Sequence, residues 1–389
     1  LLRIIFLMFG STKNLPSRRT ALLAVAMALL TALLLTRGRP PQDLFSGLAL
    51  AAVLLFLNAM FILMLHTGQT DRWRAPIFIS YAACFAFSFV GRLIESRHAM
   101  SLTHETLLTG GIPFCPIAIP MTLIPAVCKK VIIFPGSLLG PLSVGSMFVL
   151  WLGASLTLGR GWCGWGCFFG GMDDGFSRLL KRPLIRRISA CWTDLPFAVL
   201  FLAVTTSAWT FFPTYCAWAC PFRTVTELNA VASANDLVQN GIYVTLFLAF
   251  VVTLPILLKR RAQCSLLCPF GAFQSGANWI NPFEVRIDTE ACSGCGLCVD
   301  SCPTVSMTAQ TLVQGRSGAS CTKCGRCVDV CPEKAACFHV KGTGPHSDRE
   351  LARLMFIFPA FLFLAAMSGG FYLDAVAKLL RLAFAGRTN

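Results

Sequence analysis

The chain is a succession of apolar runs separated by short polar breaks. Runs at 20–36, 44–65, 76–90, 141–158, 195–212, 242–258 and 351–373 carry almost no charge. Each approaches the roughly 20 residues that an α-helix needs to cross a hydrocarbon core, 76–90 being the shortest, so the pattern predicts about seven transmembrane helices. A further apolar stretch, 112–127, is cut by Pro113, Pro116, Pro120 and Pro125. Proline removes an N–H and clashes with the preceding turn. This segment is therefore expected to be irregular, a re-entrant or interfacial hairpin shielded by protein. Residues 1–10 are apolar but too short to span. The sequence opens at Leu1 rather than Met, so a longer N-terminus is expected, and no small-residue cleavage site of a secretory signal follows. One stretch breaks the pattern: 283–340 is polar, punctuated by glycine and proline, and dense in cysteine. The expected layout is an all-α polytopic bundle over 1–282 and a small α+β domain over 283–340. Residues 341–389 then form a linker, a last transmembrane helix and a basic tail.

Charge orients this layout. Basic residues cluster at Lys13, Arg18 and Arg19, at Arg72 and Arg74, at Arg178, Lys181, Arg182, Arg186 and Arg187, and at Lys259, Arg260 and Arg261. Cytoplasmic loops carry an excess of Lys and Arg. Counting spans from an inside N-terminus puts all four clusters inside, with 91–140 and 213–241 outside; Arg37, Arg39, Lys129 and Lys130 run against the rule. The cysteine-rich stretch is then cytoplasmic.

Composition narrows the class. The chain is 55% hydrophobic and 13% charged, with mean hydropathy +0.67, which excludes an ordinary soluble protein. Its net charge of +15 sits in loop clusters beside apolar runs and accompanies no nucleic-acid motif. Nineteen cysteines would suit a disulfide scaffold in a secreted chain, but their regular spacing in a membrane chain argues for metal.

Two repeats carry that spacing: Cys292-x2-Cys295-x2-Cys298-x3-Cys302-Pro303 and Cys321-x2-Cys324-x2-Cys327-x3-Cys331-Pro332. A thiolate every third residue wraps three sulfurs around one face of a cubane, and the fourth comes from the other repeat. The expected sets are Cys292, Cys295, Cys298 and Cys331 for one [4Fe–4S] cluster, and Cys321, Cys324, Cys327 and Cys302 for the second. Zinc sites use paired Cys-x2-Cys without this tandem. The stretch resembles a bacterial two-cluster ferredoxin.

Three Cys-x3-Cys pairs lie outside it: Cys163/Cys167, Cys216/Cys220 and Cys264/Cys268. That spacing puts both sulfurs on one face of a helical turn. The span count sets the first and third pairs at the cytoplasmic rim, where together they would hold a third [4Fe–4S] cluster. It sets Cys216/Cys220 on the far side, where Cys115 and Cys128 are the cysteines at hand for a fourth. Buried structural cysteine is the competing reading for every pair. Cys84, Cys191 and Cys337 read as packing residues. Trp162 and Trp165 read either as a cluster cover or as interfacial anchors, Lys323 as surface charge, and Arg160 and Arg326 as cations beside ligands. Glu95, His98, His104 and Glu105 are far-side candidates for a quinone site, against a solvated loop as the simpler reading. Ser317-Gly318-Ala319-Ser320 has no room around it for a flavin fold.

From Gly159-Arg160-Gly161-Trp162-Cys163 through Cys264-x3-Cys268-Pro269-x-Gly271 to the ferredoxin stretch, the chain is similar to NapH/NosR/CcoG-type membrane iron–sulfur proteins. It departs from them at Phe168, in the extra Cys216/Cys220 pair and in the final span. The resemblance implies a bacterial inner-membrane electron carrier, a component of quinol-dehydrogenase type that links the quinone pool to a redox partner. Its alternative is an assembly factor that supplies electrons for metal-cofactor insertion into a copper enzyme; a redox sensor is a third reading.

Overall fold

The structure is a computed structural model and describes residues 18–36, 41, 43–92, 115–129, 144–185, 191–226, 233–344 and 348–385. Glu95, His98, His104, Glu105, Lys13, Arg37, Arg39, Lys130, Arg186 and Arg187 lie outside the described residues.

The apolar runs form helices: α1 (Arg18–Thr36), α2 (Leu44–Thr67), α3 (Thr70–Arg92), α4 (Ala118–Lys129), α5 (Val144–Thr157), α6 (Phe168–Ser177), α7 (Cys191–Thr210), α8 (Ala234–Leu258), α9 (Pro269–Ile280) and α10 (Arg349–Ala385). Among the described residues, three are long and apolar enough to cross a membrane: α2, α8 and Arg349–Phe384 of α10. Large apolar side chains such as Leu22, Leu29, Leu55, Phe201 and Trp209 face outward from the helices, which suits lipid and not water.

Two expectations change. From Ala118 onward the proline-cut stretch is a regular helix, α4, while Pro113 lies outside the described residues. Pro120 sits in its first turn, where the missing N–H has no intrahelical partner in any case. Only Pro125 lies inside. At 12 residues α4 is about 18 Å long, short of a hydrocarbon core of about 30 Å. The last apolar run and its basic tail are one continuous helix of 37 residues. This α10 is no appendage: it packs on α1, α2 and α3, and Phe356, Ile357, Ala360, Phe361, Leu364 and Ala365 are wholly buried. Their i, i+1, i+4, i+5 spacing presents one broad apolar face to the neighbouring helices.

The small domain is bracketed by an antiparallel pair, β1 (Phe283–Ile287) and β2 (Ala336–Val340), in register from Phe283↔Val340 to Ile287↔Ala336. Cys337 stands in β2, partly buried. Phe283, Val285 and Ile287 alternate inward. Phe283 and Phe338 pack on Phe356 of α10, with ring centroids 5.5 and 5.3 Å apart. The sheet thus fixes the cysteine repeats against the end of the bundle.

Candidate electron-transfer site

Within the small domain the two repeats cross. One cavity is lined by Cys292, Cys295 and Cys298 together with Cys331, closed by Ile287, Leu297, Leu312 and Ala336. Cys327 has Cys321, Cys324 and Cys302 as electrostatic neighbours. Gly296 and Gly325, at φ +74° and +87°, turn the chain sharply between the second and third cysteine of each repeat, a conformation that glycine adopts without strain. Cys295 is exposed and Cys321, Cys324 and Cys327 are buried, so the first group faces solvent and the second faces the bundle.

The Cys-x3-Cys pairs in the bundle reuse a piece of that geometry. In each of two, a helical turn carries the first cysteine and an extended residue carries the second: Cys167 at φ −87°, ψ 110° and Cys268 at φ −80°, ψ 114°. Cys302 of the small domain is built alike, at φ −65°, ψ 116°. Pro269 opens α9 at its first position, and Phe168 does the same for α6. Proline is preorganised there but not required, and Phe168 instead stacks on Phe85 at 3.8 Å.

Seven bundle cysteines converge. Cys163, Cys167, Cys264 and Cys268 are electrostatic neighbours in five of their six pairings. Cys115, Cys216 and Cys220 form a second group in which all three pairings interact. The groups adjoin through Cys115 with Cys167 and Cys268, and Cys216 with Cys268. The span count put Cys216/Cys220 across the bilayer from Cys264/Cys268. The structure corrects this: the Tyr215 hydroxyl donates to the Leu267 carbonyl (3.4 Å), and Phe222 stacks on Phe169 at 3.8 Å. The loop turns back into the bundle. Tyr243 of α8, whose hydroxyl bonds the Ala217 carbonyl, lies 15 residues from Leu258, so the second group sits about 20 Å from that helix end. Cys128 does not join it. It is exposed on α4, ten residues beyond Ala118, or about 15 Å along the axis from the Cys115 end.

Between the small domain and the four-cysteine group lies a largely buried layer of charge. Arg74 pairs with Asp71 (2.6 Å) and Asp174 (3.2 Å), Arg178 with Asp71 (2.8 Å) and Asp174 (3.2 Å), and Arg261 with Asp174 (3.1 Å). Arg74 and Arg261 also donate to the carbonyls of Gly164 and Cys163, and the Arg261 amide donates to Pro303 (2.8 Å). Three guanidiniums face two carboxylates, a surplus of one positive charge beside the thiols. Asp173 accepts from the Cys264 amide at 2.8 Å, and burial pushes its carboxyl up to about 7.

Lys323 is not surface charge: it is 2% exposed, donates to Asn278 (2.6 Å) and Leu158 (3.2 Å), and burial pushes its ammonium down to about 7. Arg160 is buried too, bonded to the Cys264 carbonyl and Ser275. Trp162 and Trp165 are both buried, which rules out interfacial anchoring; Trp165 donates to the Lys323 carbonyl at 3.2 Å. Asp71, Asp174 and this ion layer escaped sequence reasoning, because Arg74, Arg178 and Arg261 sit in clusters with the look of solvated loop charge.

The residues fit iron–sulfur clusters. Among the described residues no three His, Cys, Asp or Glu close on a point as ligands of a single ion would; thiolates around a cubane stand farther apart. Soft thiolate donors select such clusters. Buried Trp162 Nε1, Arg160 Nε and Arg261 Nη2 find no acceptor in the protein, and sulfide or thiolate sulfur would supply one.

Residues 284–332 match the model of a 4Fe-4S dicluster domain, and 140–187, 193–233 and 241–285 each match that of a 4Fe-4S binding domain. The second repeat includes Cys216/Cys220. The chain is 26% identical over 183 residues to YccM of Escherichia coli strain K12, a protein named for electron transport. The match covers 44% of this chain and about half, 48%, of that protein. No solved structure matches. The chain thus carries ferredoxin-like 4Fe–4S domains and, among the described residues, three helices long and apolar enough to cross a membrane.

Proposed function

We propose that the chain is an electron carrier of the bacterial inner membrane, linking the quinone pool to a water-soluble redox partner in the manner of NapH-type proteins. Residues 1–282 form the membrane bundle of about seven spans. Residues 283–340 form the two-cluster domain on its cytoplasmic end, and 341–389 carry the final helix and tail. Cys292, Cys295, Cys298 and Cys331 hold one [4Fe–4S] cluster, Cys321, Cys324, Cys327 and Cys302 the next, and Cys163, Cys167, Cys264 and Cys268 the third. Cys115, Cys216 and Cys220 hold a fourth. Bound clusters supply one-electron transfer.

The protein's own residues make the route. Trp165, Asn278 and Arg261 tie the bundle cysteines to the Cys321 and Pro303 loops, which keeps neighbouring sites at fixed separation. Trp162, Phe169, Phe222 and Tyr215 are buried and shield the inner thiols from bulk solvent. Arg261 and Arg160 place positive charge beside them, favouring the reduced state by Coulomb attraction. Arg72 and Arg260 contact the small domain at Asp329 and Val299, and Lys259, beside Arg260, is bonded to the Lys181 carbonyl. A cytoplasmic domain follows from that clustering.

The observation that carries the reading is the depth of the last group. Among the described residues the converging cysteines run from exposed Cys295 to buried Cys216 in mid-bundle and stop there. A route that ends inside the hydrocarbon layer needs a membrane-soluble donor or acceptor, and quinol is such a molecule. Anaerobically purified protein should hold about 16 irons, four per cluster, and quinol should reduce it in membrane vesicles. About eight irons would leave the bundle cysteines structural. Copper reduction without any response to quinol would favour the assembly-factor reading.

A further inference from the structure

The bundle offers seven converging thiols for two clusters, and a pair of fully cysteine-bound cubanes requires eight. Four of the seven, Cys163, Cys167, Cys264 and Cys268, already form a complete set. The other three are Cys115, Cys216 and Cys220. Along the described backbone the remaining cysteines lie elsewhere. Cys128 is about 15 Å along α4 from the Cys115 end and faces outward. Cys84 lies on α3 beside Tyr372 of α10. Cys337 is in β2 of the small domain, next to Cys331. Cys191 opens α7, 19 residues before Thr210 at the end nearest Cys216, a separation of about 28 Å along the helix.

We propose that the innermost cluster is held by three cysteines only, and that its fourth iron carries an exchangeable oxygen donor, water or hydroxide, in place of a protein thiolate. This rests on the reading of Cys115, Cys216 and Cys220 as ligands and goes beyond it. The surroundings suit such a donor. Arg223, bonded to the Tyr243 hydroxyl at 3.0 Å, acts electrostatically on both Cys216 and Cys220. Its positive charge favours an anionic oxygen over a neutral one. Tyr215, buried and with its hydroxyl tied to Gln263 and Leu267, stands next to Cys216 in the same short helix. The result is a Lewis-acidic iron in mid-bundle, a position that a fully thiolate-bound cubane lacks.

A three-thiolate cubane gives up its unique iron on oxidation. [4Fe–4S]2+ loses one electron to ferricyanide, releases Fe(II) and leaves [3Fe–4S]+, whose near-isotropic paramagnetic signal is diagnostic. The full chain is purified anaerobically in detergent and titrated with ferricyanide. The wild type should lose about one iron of 16 and gain that signal, and isotope-labelled Fe(II) with reductant should restore one iron. In oxygen-isotope-labelled water the reduced wild type should show oxygen coupling that Cys216→Ser and Cys115→Ser lack. Cys128→Ser should behave as wild type. About 16 irons with no three-iron signal, or loss of the inner cluster in Cys128→Ser, would overturn the open site and leave the four-cluster reading standing. About 12 irons, unchanged by Cys216→Ser, would overturn both. Persistence of the signal in Cys216→Ser would assign it to another cluster and overturn the open site.

Discussion

At the scale of single residues, the buried cations decide most. Arg261 is wholly buried, bonded to Asp174 and to the Cys163 carbonyl, and feels Cys264 and Cys324. Replacing it with Met removes a charge that favours reduction. Arg261→Met should therefore lower the potentials of the adjacent clusters in a spectroscopically monitored redox titration; an upward shift would reverse the electrostatic argument. The same change strips Asp174 of one of its three guanidiniums, and breaking a buried pair costs about 3–5 kcal/mol, so thermal stability in detergent should fall with it. Asn278 is the polar counterpart. It accepts from the Arg160 amide and from Lys323, and donates to the carbonyls of Ala319 and Cys321. Asn278→Ala leaves these groups unpaired at about 1–3 kcal/mol each. Proteolysis between domain and bundle should then accelerate, and an unchanged rate would mean the hub does not hold the domain. None of this was legible in the sequence. Arg261 follows Lys259 and Arg260 in one basic run, and only a tertiary partner, Asp174, distinguishes it. Lys323 stands beside two cysteines, where exposure was the simpler reading.

At the scale of elements, close backbone approach holds the motif helices in place. A Cβ on Gly171 of α6 would lie 2.5 Å from the Phe78 carbonyl oxygen of α3, and one on Gly164 would lie 2.7 Å from that of Thr322. Both are backbone contacts, which cannot swing aside. Gly171→Val should push α6 off α3, at a cost of about 1–3 kcal/mol or more. Because α6 begins directly after Cys167, iron should drop by about four per chain while the small domain keeps its own eight. Loss of all iron together would mean the two parts do not load independently. The elements themselves were largely readable: apolar runs became helices, and repeat spacing became turns. The miss at 112–127 came from treating each proline as a breaker. In α4, Pro120 occupies a first-turn position that has no N–H bond to lose, so position within the helix mattered more than count. The length of α10 was missed because its basic tail has the composition of an interfacial segment.

At the scale of the whole molecule, the span count failed at one loop, and the failure is informative. Residues 209–222 carry no charge, so nothing draws them out of the bundle, yet counting assumes that every break between runs reaches water. The Cys216 loop instead packs on Phe169 and Leu267. This changes the electrical shape of the molecule. The thiols make a line from a wet cradle at Cys295 to a dry end beside Tyr243, with no exit on the opposite face among the described residues. Such a line has one aqueous terminus, and its sidedness can be measured. Dithionite does not cross a sealed bilayer. In vesicles with the small domain outward it should reduce every cluster, entering through the exposed first cradle. In vesicles of the opposite orientation the clusters should stay oxidised until detergent opens the membrane. If inverted vesicles prepared from expressing cells expose the small domain, the proposed cytoplasmic placement stands; if intact spheroplasts expose it, the basic clusters at its docking face have been misread. Equal reduction from both sides would require a second aqueous entrance, and the dead-ended line of cysteines would then be the wrong picture.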